Sequence, residues 1–224
     1  MVASGGGAGH FPEGCNPDGA ADLAAAVAQF RGEPGAGEAQ GLPVVLISPG
    51  AGMTGTVLRG ARLVLVPVTA EHVPELRRIL ATPEVRLRWR NEDASPGWPF
   101  DDPSTSRFTV LMVGTVRGMV QYGEQEEVDY RHASIDIFLD PAMHGRGIGR
   151  DAVATLARHL VHDRGHHRLV IDPAADNEPA IRCYAAVGFR PVGIMRRYER
   201  DAAGAGWHDG LLMDLLAEEL DGTS

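Results

Sequence analysis

The sequence contains no lysine and only two cysteines, Cys15 and Cys183, among its 224 residues. All 21 basic residues are arginines, and 30 acidic residues outnumber them, so the formal charge at pH 7 is −9. This charge argues against binding to a phosphate backbone, so we expect no nucleic-acid partner and favour a cationic small molecule. Because the chain has only two cysteines and they lie far apart in the sequence, we expect no disulfide framework. The expected compartment is therefore the reducing cytoplasm.

Long hydrophobic runs are also missing. No apolar stretch approaches the ~18 residues that span a bilayer, and the N-terminus lacks the basic stretch and apolar core of a secretory signal. We therefore expect no membrane association. Hydrophobic residues make up 44% of the chain and charged residues 23%, which is the usage of an ordinary globular domain with a core.

Glycine is concentrated at the N-terminus, where 14 of the 28 glycines lie within the first 60 residues. Such a composition buries too little apolar area to offset its ordering entropy. We expect residues 1–56 to be a flexible extension and residues 57–222 to form the folded domain. Met53 opens the stretch that leads into the first predicted strand, which makes it a hypothetical alternative translation start.

The later part of the chain alternates strand and helix patterns. Predicted strands cover residues 62–67, 107–113, 116–122, 133–140, 168–171, 192–198 and 211–216, and predicted helices cover 69–80, 149–163 and 177–188. Thr69 and either Asp176 or Asn177 are the expected helix caps, and Gly114-Thr115 is the expected hairpin turn. Neighbouring strands mixed with helical crossovers imply an α/β fold whose mixed sheet is covered on both faces.

The densest chemical signal is the heptapeptide HGRGIGR at residues 144–150, between a predicted strand and a predicted helix. Glycines let the backbone approach an anion closely, and the free N–H groups and dipole of a helix start bind pyrophosphate. Arg146 and Arg150 add charge of the required sign. The alternative is a plain glycine-rich loop.

A dinucleotide-binding motif is a second interpretation of the same loop. Residues 147–152 fit the pattern G-x-G-x-x-G/A, and Asp172 follows about 20 residues later. However, residues 140–144 separate the predicted strand from the glycines, whereas a dinucleotide-binding turn follows its strand directly. This spacing disfavours a nicotinamide cofactor.

Residues 172–189, DPAADNEPAIRCYAAVGF, add a second motif. Together with the glycine loop they resemble the acetyl-CoA-binding core of the GNAT superfamily of N-acetyltransferases. In that family a Q/R-x-x-G-x-G/A loop holds the pyrophosphate and an N-x-x-A-x-x-x-Y-x-x-x-G-F segment follows. The resemblance covers about residues 58–220, with His144 departing from the usual glutamine or arginine. It implies a mixed, mostly antiparallel central sheet that is splayed at the acetyl-CoA site and flanked by helices on both faces.

The resemblance implies acetyl-CoA as the acyl donor. Main-chain groups of Phe138 and Leu139 are expected to hold the pantetheine arm, and the Leu139 N–H is expected to polarise the thioester carbonyl. The implied acetyl-CoA-binding residues are Phe138, Leu139, His144, Gly145, Arg146, Gly147, Ile148, Gly149, Arg150, Asn177, Ala180, Ile181 and Tyr184.

Acetylation of an amine needs a neutral nitrogen, a polarised carbonyl and a proton for the departing thiolate. By the resemblance, Asp136 is the candidate base and Tyr184 the candidate acid. The alternative for Asp136 is a carboxylate that only binds the substrate ammonium. The alternative for Tyr184 is core packing at helical spacing with Ile181.

Three stretches, residues 118–123, 134–139 and 171–184, resemble bacterial aminoglycoside 6′-N-acetyltransferases within the superfamily. This implies a cationic amine acceptor in an anionic cleft, with Trp89 and Trp98 as a candidate floor for a sugar. The expected acceptor-binding residues are Gln121, Tyr122, Glu124, Asp136, Asp172 and Asp209. Glu126, Glu127 and Asp129 extend the acidic run. The alternative for this run is a solvated loop, and the alternative for the two tryptophans is packing in the core.

The resulting hypothesis is direct acetyl transfer in a ternary complex. The alternatives are a polyamine or protein N-terminal acetyltransferase on the same fold, and a CoA-binding regulatory module without turnover. The oligomeric state is left open between a monomer and a homodimer. We expect no metal site, because no carboxylate or cysteine completes the set formed by His159, His162, His166 and His167.

Overall fold

The computed structural model describes residues 56–89, 95–201, 204 and 206–220. The expectations for residues 1–55, including the extension and the Met53 start, lie outside these residues. The described strands form one eight-stranded sheet in the order β1-β2-β3-β4-β5-β6-β8-β7. They are β1 Leu58–Arg59, β2 Val64–Pro67, β3 Thr105–Met112, β4 Thr115–Gln125, β5 His132–Leu139, β6 Arg168–Ile171, β7 Arg190–Arg200 and β8 Trp207–Leu216.

Helices cover both faces of this sheet. They are α1 Val73–Leu80, α2 Pro83–Arg86, α3 Ile148–Arg158, α4 Glu178–Ala185 and α5 Ala217–Leu220. Short 3₁₀ turns lie at Val128–Tyr130 and Pro141–Met143, and a π-helix, His159–Asp163, continues α3. No helix in the described part of the chain is long and apolar enough to cross a bilayer.

The sheet is mixed and mostly antiparallel, as the sequence predicts. The one parallel pairing among the described strands joins β5 to β6, with α3 as the crossover. These two strands pair only at Ala133–Leu169 and Ser134–Val170. β5 continues to Leu139 beyond the last paired residues, whereas β6 ends at Ile171, so the end of β5 has no ladder partner on this side and borders a gap. The expected mixed, mostly antiparallel and open sheet is therefore confirmed.

Two hydrophobic cores lie on opposite faces of the sheet. Successive strand residues point to opposite faces, so β5 contributes Ile135 and Leu139 to the core under α3 and α4 and Phe138 to the core under α1 and α2. The second core also contains Trp98, which is only 3% exposed. Trp98 is therefore a core residue and not the floor of a sugar-binding cleft.

Several element boundaries differ from those predicted. The β3–β4 turn is Val113-Gly114, with φ of 49° and 73°, because two-residue hairpins favour positive φ at both turn residues. The first long helix begins at Val73 and not after Thr69, whose carbonyl instead accepts from the His72 N–H in the preceding turn. Strand β1 and helix α5 are additional elements.

Candidate active site

The gap between β5 and β6 presents main-chain groups of β5. The Asp140 N–H donates to the Arg117 carbonyl at 2.8 Å, on the β4 side. Because peptide directions alternate along an extended strand, the peptide groups of Phe138 also face β4, opposite Met119. Those of Ile137 and Leu139 face the gap. The Leu139 N–H therefore faces the gap, as the resemblance implies. The second residue whose main-chain groups face the gap is Ile137, whereas the resemblance implies Phe138.

The glycine loop leads from β5 into α3 through left-handed backbone at Gly145 (φ 68°) and Gly147 (φ 73°). Gly147 is the N-cap residue, and no side chain caps this helix. The first amides of α3, at Ile148, Gly149 and Arg150, have no acceptor within the helix. Together with the helix dipole they form an anion-binding end of the kind that holds pyrophosphate.

Close neighbours hold the glycine loop in place. A Cβ on Gly147 would lie 2.7 Å from Nη2 of Arg62, and one on Gly149 would lie 3.2 Å from Sγ of Cys183. Gly149 therefore allows α3 to approach α4 closely. The Asp151 carboxylate accepts two amides of the β1–β2 turn at 2.9 and 2.8 Å, which ties the start of α3 to the sheet.

Three charged or polar side chains of the loop, His144, Arg146 and Arg150, are exposed at this end of α3. His144 replaces the glutamine or arginine usual at this position of the motif. The geometry of the loop does not depend on this side chain, because the glycines and the start of α3 form the loop.

Helix α4 carries the second motif. Asn177 is its N-cap, and its Oδ1 accepts from the Ala180 N–H at 3.4 Å. Asn177, and not Asp176, is therefore the cap, and its side-chain oxygen has a structural role besides the expected one toward pantetheine. Ile181 and Tyr184 are both buried in the core under α3 and α4.

Tyr184 lies within electrostatic reach of Asp136. Burial raises the pKa of Tyr184 well above its usual range, and the charges of Cys183, Asp136 and Asp172 act in the same direction. Its hydroxyl is therefore protonated at neutral pH, as a hydrogen-bond donor or acid requires. Burial also raises the pKa of the Cys183 thiol to about 11, against the opposing charge of Arg150. Cys183 is thus a protonated thiol, which disfavours it as a nucleophile.

Asp136 is exposed on β5, on the face of the sheet opposite α3. It lies directly across from Gln121 on β4, whose Nε2 is 3.3 Å from Asp136 Oδ2. Gln121 is only 6% exposed. It therefore contacts the candidate base from within the sheet, and its expected role as a direct ligand of the acceptor is not supported by its burial.

Asp172, directly after β6, interacts with Tyr198 on β7. Burial raises the pKa of Asp172, and the interaction with Tyr198 opposes the shift. Burial, followed by the interaction with Asp172, raises the pKa of Tyr198 to about 12. The charges of Asp136 and Asp172 thus act on both Tyr184 and Tyr198.

Sequence reasoning missed Tyr198 as a site residue. The register of β7 against β8 shifts between Met195 and Glu199, and Arg197 within the shift has a φ of 50°. This bulge redirects the strand near Tyr198. Because the bulge depends on pairing with β8, no local sequence signal identifies Tyr198.

Two of the expected acceptor residues lie on the wrong face of the sheet. Tyr122 and Glu124 alternate with Gln121 along β4, so they face α3 while Gln121 and Asp136 face the other way. Tyr122 is buried against Phe108. Glu124 lies 2.8 Å from Arg164 Nη2 and 2.7 Å from His166 Nε2, and these partners lower its pKa despite its partial burial.

The other acidic residues divide into two groups. Asp209 accepts the Arg197 N–H at 2.7 Å and, with Arg196 and Arg197, lines a cavity of about 670 Å³. Its surroundings are therefore basic as well as acidic. The remaining residues of the acidic run are exposed in the loop that follows β4, as the alternative of a solvated loop predicts; they are Glu126, Glu127 and Asp129.

The remaining aromatic and histidine candidates have local partners. Trp89 packs edge-on against Phe138, with ring centroids 4.9 Å apart. His159 lies 2.7 Å from Asp163, whereas His166 contacts Glu124. Within the described residues, no group of three or more His, Cys, Asp or Glu side chains is arranged to hold a metal ion.

Comparison with known proteins places this geometry in a family. Residues 65–189 match the acetyltransferase (GNAT) family. The chain is 24% identical over 155 residues to an N-acetyltransferase 9-like protein of Nematostella vectensis, a match covering 60% of this chain and 78% of that protein. It is 35% identical over 83 residues to the N-alpha-acetyltransferase RimI of Mycobacterium tuberculosis, covering 37% of this chain and 49% of RimI.

Among solved structures, Mycobacterium smegmatis RimJ in complex with CoA-disulfide has the same fold, with a TM-score of 0.64 and 23% identity over 74% of this chain and 88% of that one. The chain therefore belongs to the acetyltransferase (GNAT) family, which uses acetyl-CoA as its acetyl donor. The expectation of an N-acetyltransferase is confirmed at this level. The relatives do not support the finer aminoglycoside 6′ type.

Proposed function

We propose that the protein transfers the acetyl group of acetyl-CoA to the α-amine at the N-terminus of a polypeptide, by direct attack in a ternary complex. The observation that carries this proposal is that two carboxylates lie on the chain segments that flank the gap, Asp136 on β5 and Asp172 directly after β6. One such pair suits a single ammonium group. The relatives named for N-acetylation of proteins, RimI among them, support the same acceptor class.

A polycationic acceptor fits the site less well, because it requires several carboxylates along one cleft. Glu124 lies on the opposite face of the sheet in contact with two basic side chains. Asp209 binds a main-chain N–H and shares its cavity with Arg196 and Arg197. Those guanidinium groups would repel the further ammonium groups of an aminoglycoside or polyamine.

The residues at the gap and the glycine loop fit acetyl-CoA. The amides of Ile148, Gly149 and Arg150 are suited to its pyrophosphate, and a Cβ at Gly147 would enter the space beside Arg62. The exposed main-chain edge of β5, at Ile137 and Leu139, is suited to the pantetheine arm. The bound thioester supplies an activated acetyl group.

Each reaction requirement has a candidate residue. Asp136 takes the proton that the substrate ammonium must lose, with Asp172 holding the amine nearby. The Leu139 N–H donates a hydrogen bond at the acyl carbonyl and so stabilises negative charge there. The Tyr184 hydroxyl, which is protonated at neutral pH, donates a hydrogen bond to the departing sulfur. The raised pKa of Cys183 favours direct attack over an acyl-enzyme.

The test is a panel of acceptors assayed for thiol release from acetyl-CoA with the full-length protein. The panel contains peptides with different free N-terminal residues, the same peptides with blocked N-termini, aminoglycosides and polyamines. We expect turnover with free N-termini only, and acetylation located on the α-amine by mass spectrometry. Higher kcat/KM for aminoglycosides or polyamines than for every peptide would overturn the acceptor assignment.

A second function, a CoA-binding module without turnover, shares the glycine loop but needs no carboxylate pair. CoA binding by calorimetry together with no thiol release from any amine would establish it. Absence of heat with both CoA and acetyl-CoA would overturn both functions.

A further inference from the structure

Gln121 is a buried side chain whose two amide atoms have different partners. Its Oε1 accepts from Arg107 Nε at 3.0 Å, and its Nε2 donates to Asp136 Oδ2 at 3.3 Å. We propose that Arg107 and Gln121 are positioning residues for acetyl transfer: Arg107 orients the Gln121 amide, and Gln121 holds and stabilises the ionised carboxylate of Asp136. This inference rests on the proposed function in one respect, because it takes Asp136 to be the base for acetyl transfer.

The orientation of the amide follows from donor chemistry. An arginine side chain offers only N–H donors, so the atom facing Arg107 must be the Gln121 carbonyl oxygen. The NH₂ group must then face Asp136. A carboxylate that accepts this hydrogen bond is favoured in its ionised form, which is the form that a base requires.

Arg107 is itself held firmly. Its guanidinium is 8% exposed, and Nη1 donates to the carbonyls of Pro99 at 3.0 Å and Asp102 at 3.1 Å. Nη2 lies 3.6 Å from the Asp102 carboxylate. A side chain fixed by these three contacts has little freedom to release Gln121, so the orientation of the amide is preset before substrate binds.

The discriminating variants are Gln121→Glu and Gln121→Leu. Glutamate keeps the size of glutamine and the hydrogen bond from Arg107 but places a carboxylate oxygen against Asp136. Two carboxylates at this distance do not both ionise readily, so protonation of the pair becomes easier. Leucine removes the donor without adding charge. The variants leave the ionisable groups Asp172, Tyr184 and Tyr198, which act on the same region, unchanged.

We expect the acidic limb of the kcat/KM profile to move to higher pH in Gln121→Leu and further in Gln121→Glu. At pH 6, kcat should fall by about tenfold or more in Gln121→Glu, with little change in the KM for acetyl-CoA. Arg107→Lys, which lacks the planar fork, should lie between wild type and Gln121→Leu. Equal acidic limbs in all four proteins would overturn the proposal.

The matched control is Thr109→Val. Thr109 is fully buried on the same strand as Arg107, and its Oγ1 lies 2.9 Å from His72 Nδ1, away from Asp136. This variant should lose stability comparably yet keep the wild-type pH profile. A shifted limb in Thr109→Val would show that the effect is structural and would overturn the proposal.

A separate readout distinguishes failure of this inference from failure of the proposed function. The Asp136 carboxyl can be followed by carbon NMR across pH in wild type and in Gln121→Glu, without any acceptor. A higher titration midpoint in Gln121→Glu supports the positioning role even where no amine is acetylated. An unchanged midpoint overturns it even where the wild-type enzyme is active.

Discussion

Tyr198 on β7 and Asp172, which follows β6, interact across the intervening strand β8, and each shifts the pKa of the other. Gly210 on β8 makes this possible, because a Cβ there would lie 3.0 Å from Cδ1 of the Tyr198 ring. The bulge in β7 and the glycine in β8 together place a phenol beside a carboxylate at the gap. The acceptor side of the site is therefore built by the C-terminal hairpin as well as by β5.

Replacing Tyr198 with phenylalanine should weaken amine binding. The interaction with Tyr198 opposes the upward shift that burial gives to the pKa of Asp172, so loss of the hydroxyl should raise that pKa further. Less Asp172 is then ionised at a given pH. We expect the KM for the amine to rise about threefold or more at pH 6 and less at pH 8, with kcat little changed. A KM that is independent of this substitution at both pH values would show that Asp172 does not bind the amine.

The sequence predicts the mixed sheet with helical crossovers but not every face or bulge. The glycine loop at residues 144–150 follows from a local motif, and the choice of Asp136 and Tyr184 as candidates follows from the family resemblance. The acidic run points to Glu124 as an acceptor ligand, although strand alternation alone puts it opposite Gln121. Strand alternation in the sequence therefore gives the correct face for Glu124, and the prediction was wrong because it followed the charge pattern instead.

Other features depend on contacts between distant segments. Tyr198 reaches Asp172 only through strand pairing and a bulge, and Arg107 meets Gln121 only because β3 pairs with β4. The burial of Trp98 results from packing with Leu76 and Met119, which come from different elements. No local periodicity encodes such tertiary contacts.

Gly147→Ala should weaken binding of CoA. The position has a φ of 73°, which costs a non-glycine residue roughly 1–2 kcal/mol, and the new Cβ would lie 2.7 Å from Arg62 Nη2. Either the loop or Arg62 must move. We expect the dissociation constant for CoA to rise about tenfold, as measured by calorimetry.

Gly114→Ala is the matched control for that experiment. Gly114 has the same φ of 73° in the β3–β4 turn, and a Cβ added there would meet no atom within 4 Å. Gly114→Ala should lower the melting temperature by about as much as Gly147→Ala does, and it should leave the affinity for CoA unchanged. Equal CoA affinities in the two variants would contradict the assignment of Gly147 to the pyrophosphate site.

Asp136→Asn distinguishes a base from an anchor. If Asp136 accepts the substrate proton, kcat should fall by about 10²–10⁴ and the acidic limb of the pH–rate profile should disappear. If it only binds the ammonium, the main effect is a raised KM for the amine. We expect the first result, measured by thiol release from pH 5 to pH 10. Retention of wild-type kcat at saturating amine would eliminate the base role.

Glu124→Gln should change stability and not acetyl transfer. The hydrogen bond from Arg164 and the contact with His166 lower the pKa of Glu124 below its unfolded value. Its stabilising contribution is therefore fully present above about pH 4.5 and is lost as the pH falls through the folded pKa. We expect a loss of about 1–3 kcal/mol at pH 7 that vanishes at low pH. A reduced kcat/KM for any amine would show that Glu124 takes part in binding the acceptor.

Tyr184→Phe tests the proposed role of the Tyr184 hydroxyl as the acid. Burial keeps this phenol protonated, so its loss removes a donor to the departing sulfur without altering packing greatly. We expect kcat to fall by about 10² with the KM for acetyl-CoA unchanged. Tyr122→Phe is the control, because Tyr122 is equally buried but stacks on Phe108 away from the gap. Near-normal turnover in Tyr184→Phe would leave Tyr184 with a packing role alone, and the proton for the thiolate would then have to come from solvent.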